Sequence, residues 1–352
     1  MPAISGVCKH EQLTAMLRKE LKNKTFTDSR FHTVKHLMES YQVSQATLTR
    51  ALEPLFDEGV LYSVPGKGTF IREKNDHPQH SNLQMIFCVV SSQEVFNREY
   101  NPNTWFALQD IFSGIARATG EHGSSVNLIT IPSDGPEFRH LAKMSNSAFI
   151  FLEYDSFEAQ IEYCIKKNLP YAIYAKHHKL TRNIKQVWLD TEQAQYDAVS
   201  HLIARGHRNI GFVGDKRNSS RYKGYCAAMR DAGLSYSNKW IFLETSGDDD
   251  LAYMGAMKLI AGNPELTAIA CSTDLRALGV LKAVQDSGKR TPAFAVTGID
   301  DVKRIYYELP ENLTTVHLPF DGIGEALVNM AYSEDKSLCI RMAPSLIVRK
   351  TS

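Results

Sequence analysis

The sequence predicts an α/β protein in which a small winged helix-turn-helix unit precedes a larger α/β domain made of two subdomains. Within residues 41–70, a helical stripe of leucines runs into a basic hairpin with glycines at its tip. From residue 83 onward, apolar runs of strand length alternate with amphipathic helical segments. Residues 74–82 are polar and lack an apolar anchor, which is typical of a linker. We therefore expect one domain over 1–73 and another over 83–352.

The leucine stripe predicts a helix with one buried side and one polar side. Ser44 is placed to cap it, Leu48, Leu52 and Leu55 recur at helical spacing, and Gly59 is placed to end it. A helix about 10–12 Å across fits the DNA major groove, where every base pair shows a distinct hydrogen-bonding pattern. Short polar side chains on its first turn could therefore read bases. Most leucine-rich helices simply pack a core, and that alternative stays open.

The segment after this helix predicts a two-stranded hairpin. "VLYSV" and "PGKGTFI" are strand-like, and Gly66 and Lys67 fall at the tip between them. Glycine lets the backbone approach a phosphate closely, and a lysine there adds one favourable charge. A solvated hairpin is the alternative for these residues taken alone. The order of helix and basic hairpin favours a winged DNA-binding unit.

Two stretches, "MLRKELKNKTF" and "VSQATLTRALEPLFDEGVLYSVPGKGTFI", resemble the DNA-binding domain of the GntR family of bacterial transcriptional regulators over roughly residues 9–72. The resemblance implies operator contacts at six positions: Lys35, Ser44, Gln45, Thr47, Thr49 and Gly66. The polar side of the helix and the charge at the wing tip add Arg50 and Lys67 to the candidate DNA contacts.

Three departures from the GntR pattern affect what these residues read. Phe31, His32 and Thr33 replace the family's Leu-Pro-Ser before the second helix. Lys35 and Gln45 stand where the family commonly has arginine, so guanine would not be read by a bidentate fork at those positions. Pro54 falls inside the predicted recognition helix, where proline costs about 3 kcal/mol unless the helix bends. Pro54 lies beyond the end of this helix that reads DNA, so we expect a kink in the helix and not the loss of the DNA-binding site.

Composition is ordinary for a globular protein of 352 residues, with 43% hydrophobic and 22% charged residues. Residues 1–75 hold 11 Lys and Arg against 8 Asp and Glu, a net +3 within a whole-chain charge of +1. The six cysteines occur singly without C-x-x-C spacing, which favours reduced, buried thiols. No secretory signal and no long apolar stretch are visible, so we expect a cytoplasmic protein that does not enter a membrane.

The region from residue 83 onward predicts parallel sheets covered on both faces. Buried strands are expected at "QMIFCVV", "SVNLITI", "SAFIFLE", "PYAIYA", "NIGFVG", "TAIACS" and "AFAVTGI". Helices are expected at 104–122, 136–144, 157–168, 191–206, 219–233, 249–262 and 274–287, after two at 9–24 and 33–41 in the first domain. About ten strand and helix units are more than a single open sheet usually accommodates, so two subdomains with a cleft between them are predicted.

Five ordered segments, among them "GHRNIGFVGD", "SSRYKGYCAAMRDAGL" and "AVTGIDDV", resemble the effector domain of the LacI/GalR repressor family, which is itself similar to periplasmic sugar-binding proteins. The resemblance covers roughly residues 83–350. It implies a periplasmic-binding-protein-like domain whose chain crosses between subdomains near 190, 317 and 340. The N-subdomain would hold 83–190 and 318–340, and the C-subdomain 191–317 and 341–352.

Charged residues at the ends of predicted strands mark a candidate effector cleft. Asp190, Asp274 and Asp300 each follow an apolar run, and ligands bind beyond the carboxyl ends of such strands. Their carboxylates can accept sugar hydroxyls, and Arg221 can donate several hydrogen bonds. The resemblance implies effector contacts at Asp190, Arg221 and Asp300. For Asp274, a ligand contact and a structural cap are equally supported by the sequence.

Aromatic residues complete the predicted cleft. Trp105 is the preferred aromatic wall because it aligns with aromatics that line the pocket in the family, and Trp188 could serve equally or lie buried in its strand. Lys176 is a weaker candidate. The run Asp248 to Asp250 is better explained as a solvated loop than as a metal site, because consecutive carboxylates cannot all face one ion.

Together these features predict a transcriptional repressor that binds double-stranded operator DNA as a homodimer and responds to a small, sugar-like effector. A repressor that needs its small molecule as a corepressor is one alternative, and a solute-binding protein without a transcriptional role is another. We expect neither a metal nor a cofactor, and we do not expect an enzyme, because no catalytic motif stands out.

Overall fold

A computed structural model describes most of the chain. The described residues are 9–23, 31–57, 60–64, 68–71, 83–91, 102–131, 138–176, 179–180, 183–245, 249–302 and 312–352. They form two compact units, one built on residues up to 79 together with 333–335, and the other on residues 80–332 and 336–352. The division falls inside the predicted linker, and residues 74–82 lie outside the described residues.

The first unit is a three-helix head with a hairpin. Its elements are α1 Lys9–Asn23, α2 Val34–Tyr41, α3 Gln45–Asp57, β1 Leu61–Val64 and β2 Gly68–Ile71. The two strands pair antiparallel from Leu61 opposite Ile71 to Val64 opposite Gly68. Leucines from all three helices pack into one core with Phe31, Leu61 and Ile71. The helix predicted from the leucine stripe and the hairpin predicted from the two strand-like segments after it are therefore present.

Local hydrogen bonds explain where the head's helices begin. Thr33 caps α2 by accepting from the His36 backbone N–H at 3.2 Å, so it can replace the family's serine. Ser44 caps α3 in the same way, accepting from Thr47 N–H at 3.3 Å. Between them, Gln42 adopts a positive φ of 50° that turns the chain from α2 into α3. Despite Pro54, α3 continues to Asp57.

Some predicted residues of the head fall outside the description. Gly59 and the wing-tip residues Gly66 and Lys67 lie outside the described residues. Lys35 lies on α2, but its side chain is not among those described.

The N-subdomain of the second unit is a six-stranded parallel sheet in the order β13-β7-β6-β5-β3-β4. Its strands are β3 Met85–Ser91, β4 Ser125–Ile131, β5 Ser147–Phe151, β6 Tyr171–Ala175, β7 Gln186–Leu189 and β13 Cys339–Met342. Its helices are α4 Pro102–Glu121, α5 Phe138–Leu141, α6 Glu158–Lys167 and α11 Phe320–Tyr332. Strands β5 and β6 are buried along their whole length, as continuous apolar runs predict for a sheet covered on both faces.

The C-subdomain is a second six-stranded sheet in the order β14-β12-β11-β10-β8-β9, parallel except for β14. Its strands are β8 Ile210–Gly214, β9 Ile241–Leu243, β10 Ala268–Cys271, β11 Ala295–Asp300, β12 Thr314–His317 and β14 Ser345–Ile347. Its helices are α7 Thr191–Ala204, α8 Ser220–Asp231, α9 Asp249–Gly262 and α10 Asp274–Asp286, with a short 3-10 turn at Asn238–Trp240.

The chain crosses between the subdomains three times. The first crossing follows Leu189 and the second follows His317, close to the predicted positions. The third lies at residues 343–344 rather than near 340, because Arg341 and Met342 still pair with β7 of the N-subdomain sheet. The predicted boundaries 318–340 and 341–352 are corrected accordingly.

Burial also accounts for the cysteines. Cys88, Cys164 and Cys271 are buried, Cys226 and Cys339 are half-buried, and all five are free thiols. Burial in apolar surroundings raises the pKa of the Cys88 thiol to about 12, which keeps it protonated and unreactive. In the described parts of the chain, no helix is both long and apolar enough to cross a membrane.

Asp274 is part of the C-subdomain core. Its carboxylate accepts hydrogen bonds from the Val302 backbone N–H at 3.0 Å and from Thr315 Oγ1 at 2.6 Å, and the residue is 1% exposed. Burial, followed by the nearby charge of Asp300, raises its pKa to about 8. These contacts correspond to the structural one of the two roles that the sequence left open.

Helices α4 and α11 approach closely through glycine. A Cβ at Gly114 would overlap the backbone carbonyl of Asp321, whereas a Cβ at Gly120 on the same helix would meet nothing within 4 Å. We expect Gly114→Ala to destabilise the fold by about 1–3 kcal/mol because the added methyl group overpacks the interface. Gly120→Ala, the matched control, should be neutral or stabilising by up to about 1 kcal/mol. Denaturant unfolding of both variants measures the difference, and equal stabilities would contradict the packing described.

The raised pKa of Asp274 predicts a pH-dependent stability. The folded pKa of about 8 exceeds the ordinary 3.8, so the folded state binds this proton more tightly than the unfolded state does. The resulting stabilisation is complete below about pH 4 and is lost as the pH rises through about 8. The substitution Asp274→Asn keeps the shape of the uncharged, protonated side chain and removes the ionisable group. The melting temperature of the wild type relative to this variant should fall across that range, whereas the exposed control Asp231→Asn should track the wild type. Parallel curves for wild type and Asp274→Asn would contradict the assignment.

Candidate ligand-binding cavity

A cavity of 830 Å³ lies in the second unit, with walls from both subdomains. The N-subdomain contributes residues of α4, β6, β7 and the start of α11, and the C-subdomain contributes the carboxyl ends of β8, β10 and β11 with the first turns of α7, α8 and α10. Its position beyond the carboxyl ends of parallel strands is the usual place for a ligand in an α/β fold. Its volume falls in the range of small-molecule sites, about 300–1,000 Å³.

A buried ion pair forms part of the C-subdomain wall. Arg221 Nη2 donates to Asp300 Oδ1 at 2.7 Å, with side chains 16% and 3% exposed. Arg221 Nη1 also donates to the Ser272 backbone carbonyl. Burial raises the pKa of Asp300, while the Arg221 charge and hydrogen bond oppose that shift. Both residues line the cavity: Asp300 ends β11, and Arg221 lies in the first turn of α8, where the sequence placed it.

The backbone at Asp300 is strained. Its φ is +114° and that of Asp301 is +53°, a region that residues with a Cβ rarely adopt. Such outliers persist where the surrounding structure holds them, and they cluster at functional sites. Here Arg221 holds the Asp300 carboxylate, Arg349 Nη2 donates to Asp301 Oδ1 at 2.8 Å, and His317 Nδ1 lies 3.3 Å from Asp301 Oδ2. These contacts hold the strained end of β11 at the cavity wall.

Asp190 lies at the first crossing and is held by residues from both subdomains. Its Oδ1 accepts from the Gln193 backbone N–H at 2.9 Å, which caps α7. Its Oδ2 accepts from Arg341 Nη2 at 2.8 Å and Nε at 3.1 Å. The Arg341 guanidinium also lies 5.8 Å from the centre of the Trp188 ring. Asp190 and Trp188 both line the cavity, so Arg341 contacts a carboxylate and an aromatic ring of the cavity wall.

A second buried arginine supports the same wall. Arg276 lines the cavity, and its Nε lies 2.6 Å from Glu244 Oε1, with both side chains more than nine-tenths buried. Its Nη2 also donates to the Glu244 backbone carbonyl at 2.9 Å. Pairing of this kind is what makes a buried charge tolerable.

The remaining predicted residues are placed as follows. Trp105 lies on α4, but its side chain is outside the description, so Trp188 is the tryptophan that the structure places at the cavity. Lys176 lines the cavity and pairs with Glu153 at 3.2 Å. Asp249 and Asp250 lie in the first turn of α9, and Asp248 is outside the described residues.

Three cavity groups were not predicted from the sequence. Arg341 contributes through Asp190, and Arg276 and Asp215 line the wall directly. Asp215 follows β8 directly, so the strand-end signal that found Asp300 could also have found it. Arg341 carries no such signal, because its partner Asp190 is 151 residues away.

The head presents a polar helix face. Gln45 and Thr49 lie one turn apart on α3 and are exposed with Arg50, whereas Thr47 is half-buried. Ser44 is exposed, and its Oγ also lies 3.0 Å from Thr47 Oγ1. The opposite side of α3 carries Leu48, Leu52 and Leu55 into the core. The predicted base-reading residues described here therefore lie on or beside the outward side of α3.

Comparison with known proteins matches the first unit and part of the second to family models. Residues 9–71 match the model for bacterial regulatory proteins of the gntR family, and residues 199–352 match that for a periplasmic binding protein-like domain. Among curated proteins, the chain is 31% identical over 169 residues to the HTH-type transcriptional repressor PurR of Klebsiella pneumoniae (strain 342), covering 45% of this chain and 49% of that one. The corresponding repressor of Mannheimia succiniciproducens is 30% identical over 166 residues, with 44% and 49% covered. The chain thus spans about half the length of the curated relatives it matches.

Solved structures share the fold at low identity. A regulatory protein of the LacI family from Chloroflexus aggregans has a TM-score of 0.61 at 24% identity and covers 76% of this chain and 98% of its own. The Escherichia coli transcriptional repressor ascG has a TM-score of 0.61 at 20% identity, with 76% and 99% covered. The transcriptional regulator CelR in its cellobiose complex has a TM-score of 0.59 at 18% identity, with 99% and 100% covered. The chain therefore combines a gntR-family helix-turn-helix domain with a periplasmic-binding-protein-like domain, and both predicted resemblances are confirmed.

Proposed function

We propose that the protein is a DNA-binding transcriptional repressor whose operator affinity is controlled by a small, sugar-like effector. The observation that carries the proposal is the cavity at the strand ends, built around Arg221 and Asp300, in a chain that also has a gntR-type head. The relatives named above are transcriptional repressors, which supports the regulatory half of the proposal.

The cavity's chemistry suits a polyhydroxylated ligand. Asp190 and Asp300 offer carboxylate oxygens that accept hydroxyl protons, and Arg221 and Arg276 offer guanidinium donors in the same wall. The Trp188 ring supplies a flat apolar face against which the C–H face of a sugar can pack. A few directed polar groups beside an aromatic surface are what fix the orientation of a small ligand.

A ligand in this cavity would bias the two subdomains toward each other. The walls come from both subdomains, and three crossings connect them. A ligand that contacts both walls binds a closed arrangement more tightly than an open one, and only that difference in affinity can shift the equilibrium. A coupling of about 1–3 kcal/mol changes affinity by about 5–150-fold, which is enough for a switch.

The head would act on DNA through α3. Gln45, Thr49 and Arg50 are exposed together there, and in the winged fold this helix enters the major groove. We infer that two copies bind as a homodimer, so that two heads read half-sites related by two-fold symmetry. The wing residues Gly66 and Lys67 and the helix residue Lys35 remain proposed contacts on the basis of the family resemblance.

Effector binding should appear as thermal stabilisation of the full-length chain. A sugar at 100 times its dissociation constant should stabilise the protein by about 2.7 kcal/mol, which shifts the melting temperature by several degrees. The panel comprises pentoses, hexoses, disaccharides, their phosphates and purines. Arg221→Ala should abolish the shift, since it removes a donor and leaves Asp300 unpaired, whereas Arg230→Ala on the exposed end of α8 should keep it. If no compound shifts the folded wild type, the effector half of the proposal is wrong.

DNA binding should depend on the outward face of α3. Using a duplex selected from a random pool by the full-length chain, Gln45→Ala should reduce discrimination at one base position by about 1–3 kcal/mol. Arg50→Ala should weaken binding to all sequences and lower the salt dependence by about one counterion. Arg230→Ala, in the other unit, is the control. Titrations at several salt concentrations, with and without the bound sugar, measure both effects and reveal whether the ligand releases DNA or strengthens binding. Unchanged specificity and salt dependence in both α3 variants would exclude this face.

A further inference from the structure

The wall of the cavity formed by the C-subdomain contains three hydrogen-bonding oxygens without a partner. Asp300 Oδ2, Ser272 Oγ and Asp215 Oδ1 are buried, and none has a hydrogen-bond partner within the part of the chain that the structure describes. All three residues line the cavity, and Ser272 and Asp300 are at least nine-tenths buried. A buried acceptor without a donor costs about 1–3 kcal/mol, so these atoms favour a ligand rich in hydrogen-bond donors.

The three oxygens belong to a row across the sheet. Asp300 ends β11, Ser272 follows β10 and Asp215 follows β8, and these strands are neighbours in the order β11-β10-β8. Adjacent strands lie about 4.8 Å apart, so the row extends over two spacings, roughly 10 Å. That length exceeds the span of the hydroxyl groups on one pyranose ring. A ligand that satisfies the whole row is therefore longer than a monosaccharide.

The cavity has room for such a ligand. If every non-hydrogen atom of a hexose took the roughly 30 Å³ that a water molecule occupies in the liquid, the sugar would still fill less than half of 830 Å³. Closure of the subdomains would reduce the volume, so volume alone does not show what occupies the rest of the cavity. The side chains at the Asp215 end of the cavity indicate the chemistry of that occupant.

The end of the cavity at Asp215 is polar and balanced in charge. The loop between β8 and α8 contributes Asp215, Lys216 and Asn218, and Glu192 and Lys223 also line the cavity. The two lysines are matched by two carboxylates, which suits an uncharged group with hydroxyls. A phosphoryl dianion would carry no donor for Asp215 Oδ1, and its attraction to the two lysines would be opposed by repulsion from the two carboxylates.

We propose that the cavity binds an uncharged glycoside of two sugar units, one beside Trp188, Arg221 and Asp300 and the second in a subsite formed by Asp215, Lys216 and Asn218. This inference rests on the proposed function and specifies its ligand class. Asp215 is then a specificity-determining residue. Its carboxylate accepts a hydrogen bond from a hydroxyl of the second sugar unit, and a monosaccharide at the inner site does not reach it.

Calorimetric titration of the full-length protein tests the second subsite. The probes are common pentoses and hexoses, disaccharides built from them, and phosphate esters of the same monosaccharides. We expect a disaccharide to bind at least about tenfold more tightly than its component monosaccharides, equivalent to about 1.4 kcal/mol. Phosphate esters should bind more weakly than the disaccharide.

Variants at the loop assign the preference to its residues. Asp215→Asn has the same shape but presents an amide, and it should bring the ratio of disaccharide to monosaccharide affinity toward one. Asn218→Ala, at an exposed position whose truncation leaves the core intact, should lower the ratio in the same direction. Asp231→Asn, at the other end of α8 and outside the cavity lining, is the matched control and should keep the wild-type ratio.

The outcomes separate the two proposals. Equal affinity for both sugar sizes, a phosphate ester that binds more tightly than any disaccharide, or a ratio unaffected by both loop variants would overturn the second subsite and leave the sugar-controlled repressor in place. Failure of every sugar to bind the folded protein would instead overturn the proposed effector class, and with it the subsite. A disaccharide preference that both loop variants reduce supports the inference.

Discussion

The ion pair between Arg221 and Asp300 is the interaction on which the cavity depends. Two charges are withdrawn from water at the carboxyl ends of β10 and β11, and they are tolerated because each satisfies the other at 2.7 Å. The pair also holds Asp300 at a backbone angle that a residue with a Cβ rarely adopts. The Ser219 cap at the start of α8 and the Ser272 carbonyl position Arg221 in turn. A rigid, polar wall is thereby built from short segments that are distant in sequence.

Four aspartates at strand ends show how environment separates residues with the same sequence signature. Asp190 is oriented by Arg341, and Asp300 is paired with Arg221. Asp274 is enclosed, with a pKa of about 8, and joins α10 to β12 through Thr315. Asp215 keeps an oxygen directed to no other described group. Of these four aspartates, Asp215 and Asp300 each keep a buried oxygen without a described hydrogen-bond partner, and this difference arises from their neighbours rather than from the aspartates themselves.

The sequence predicted what depends on local pattern. Most helices and seven strands of the second unit followed from the spacing of apolar residues, whereas α11, β9 and β14 were not predicted. Asp190 and Asp300 followed from the rule that strand ends face ligands, and Arg221 followed from its place at the start of a helix and from the family resemblance. The pairing of Arg341 with Asp190 was inaccessible, because it depends on β13 joining β7 rather than the C-subdomain sheet. The enclosure of Asp274 likewise depends on Thr315 and on Gly298, where a Cβ would overlap its carboxylate. Long-range partners decide the role of a charged residue, and they carry no local signature.

The late position of β13 and α11 in the chain affects how the protein is made. The head is complete by Ile71, whereas the N-subdomain needs α11 for its core and Cys339–Met342 for its sheet edge. At about 5–20 residues per second, a ribosome takes roughly fifteen seconds to a minute to synthesise the intervening chain. Domains whose contacts are close in sequence fold early, while distant pairings must wait. The first unit can therefore fold well before the second unit is complete, and a ribosome that stalls in that interval leaves a head without the ligand-binding cavity.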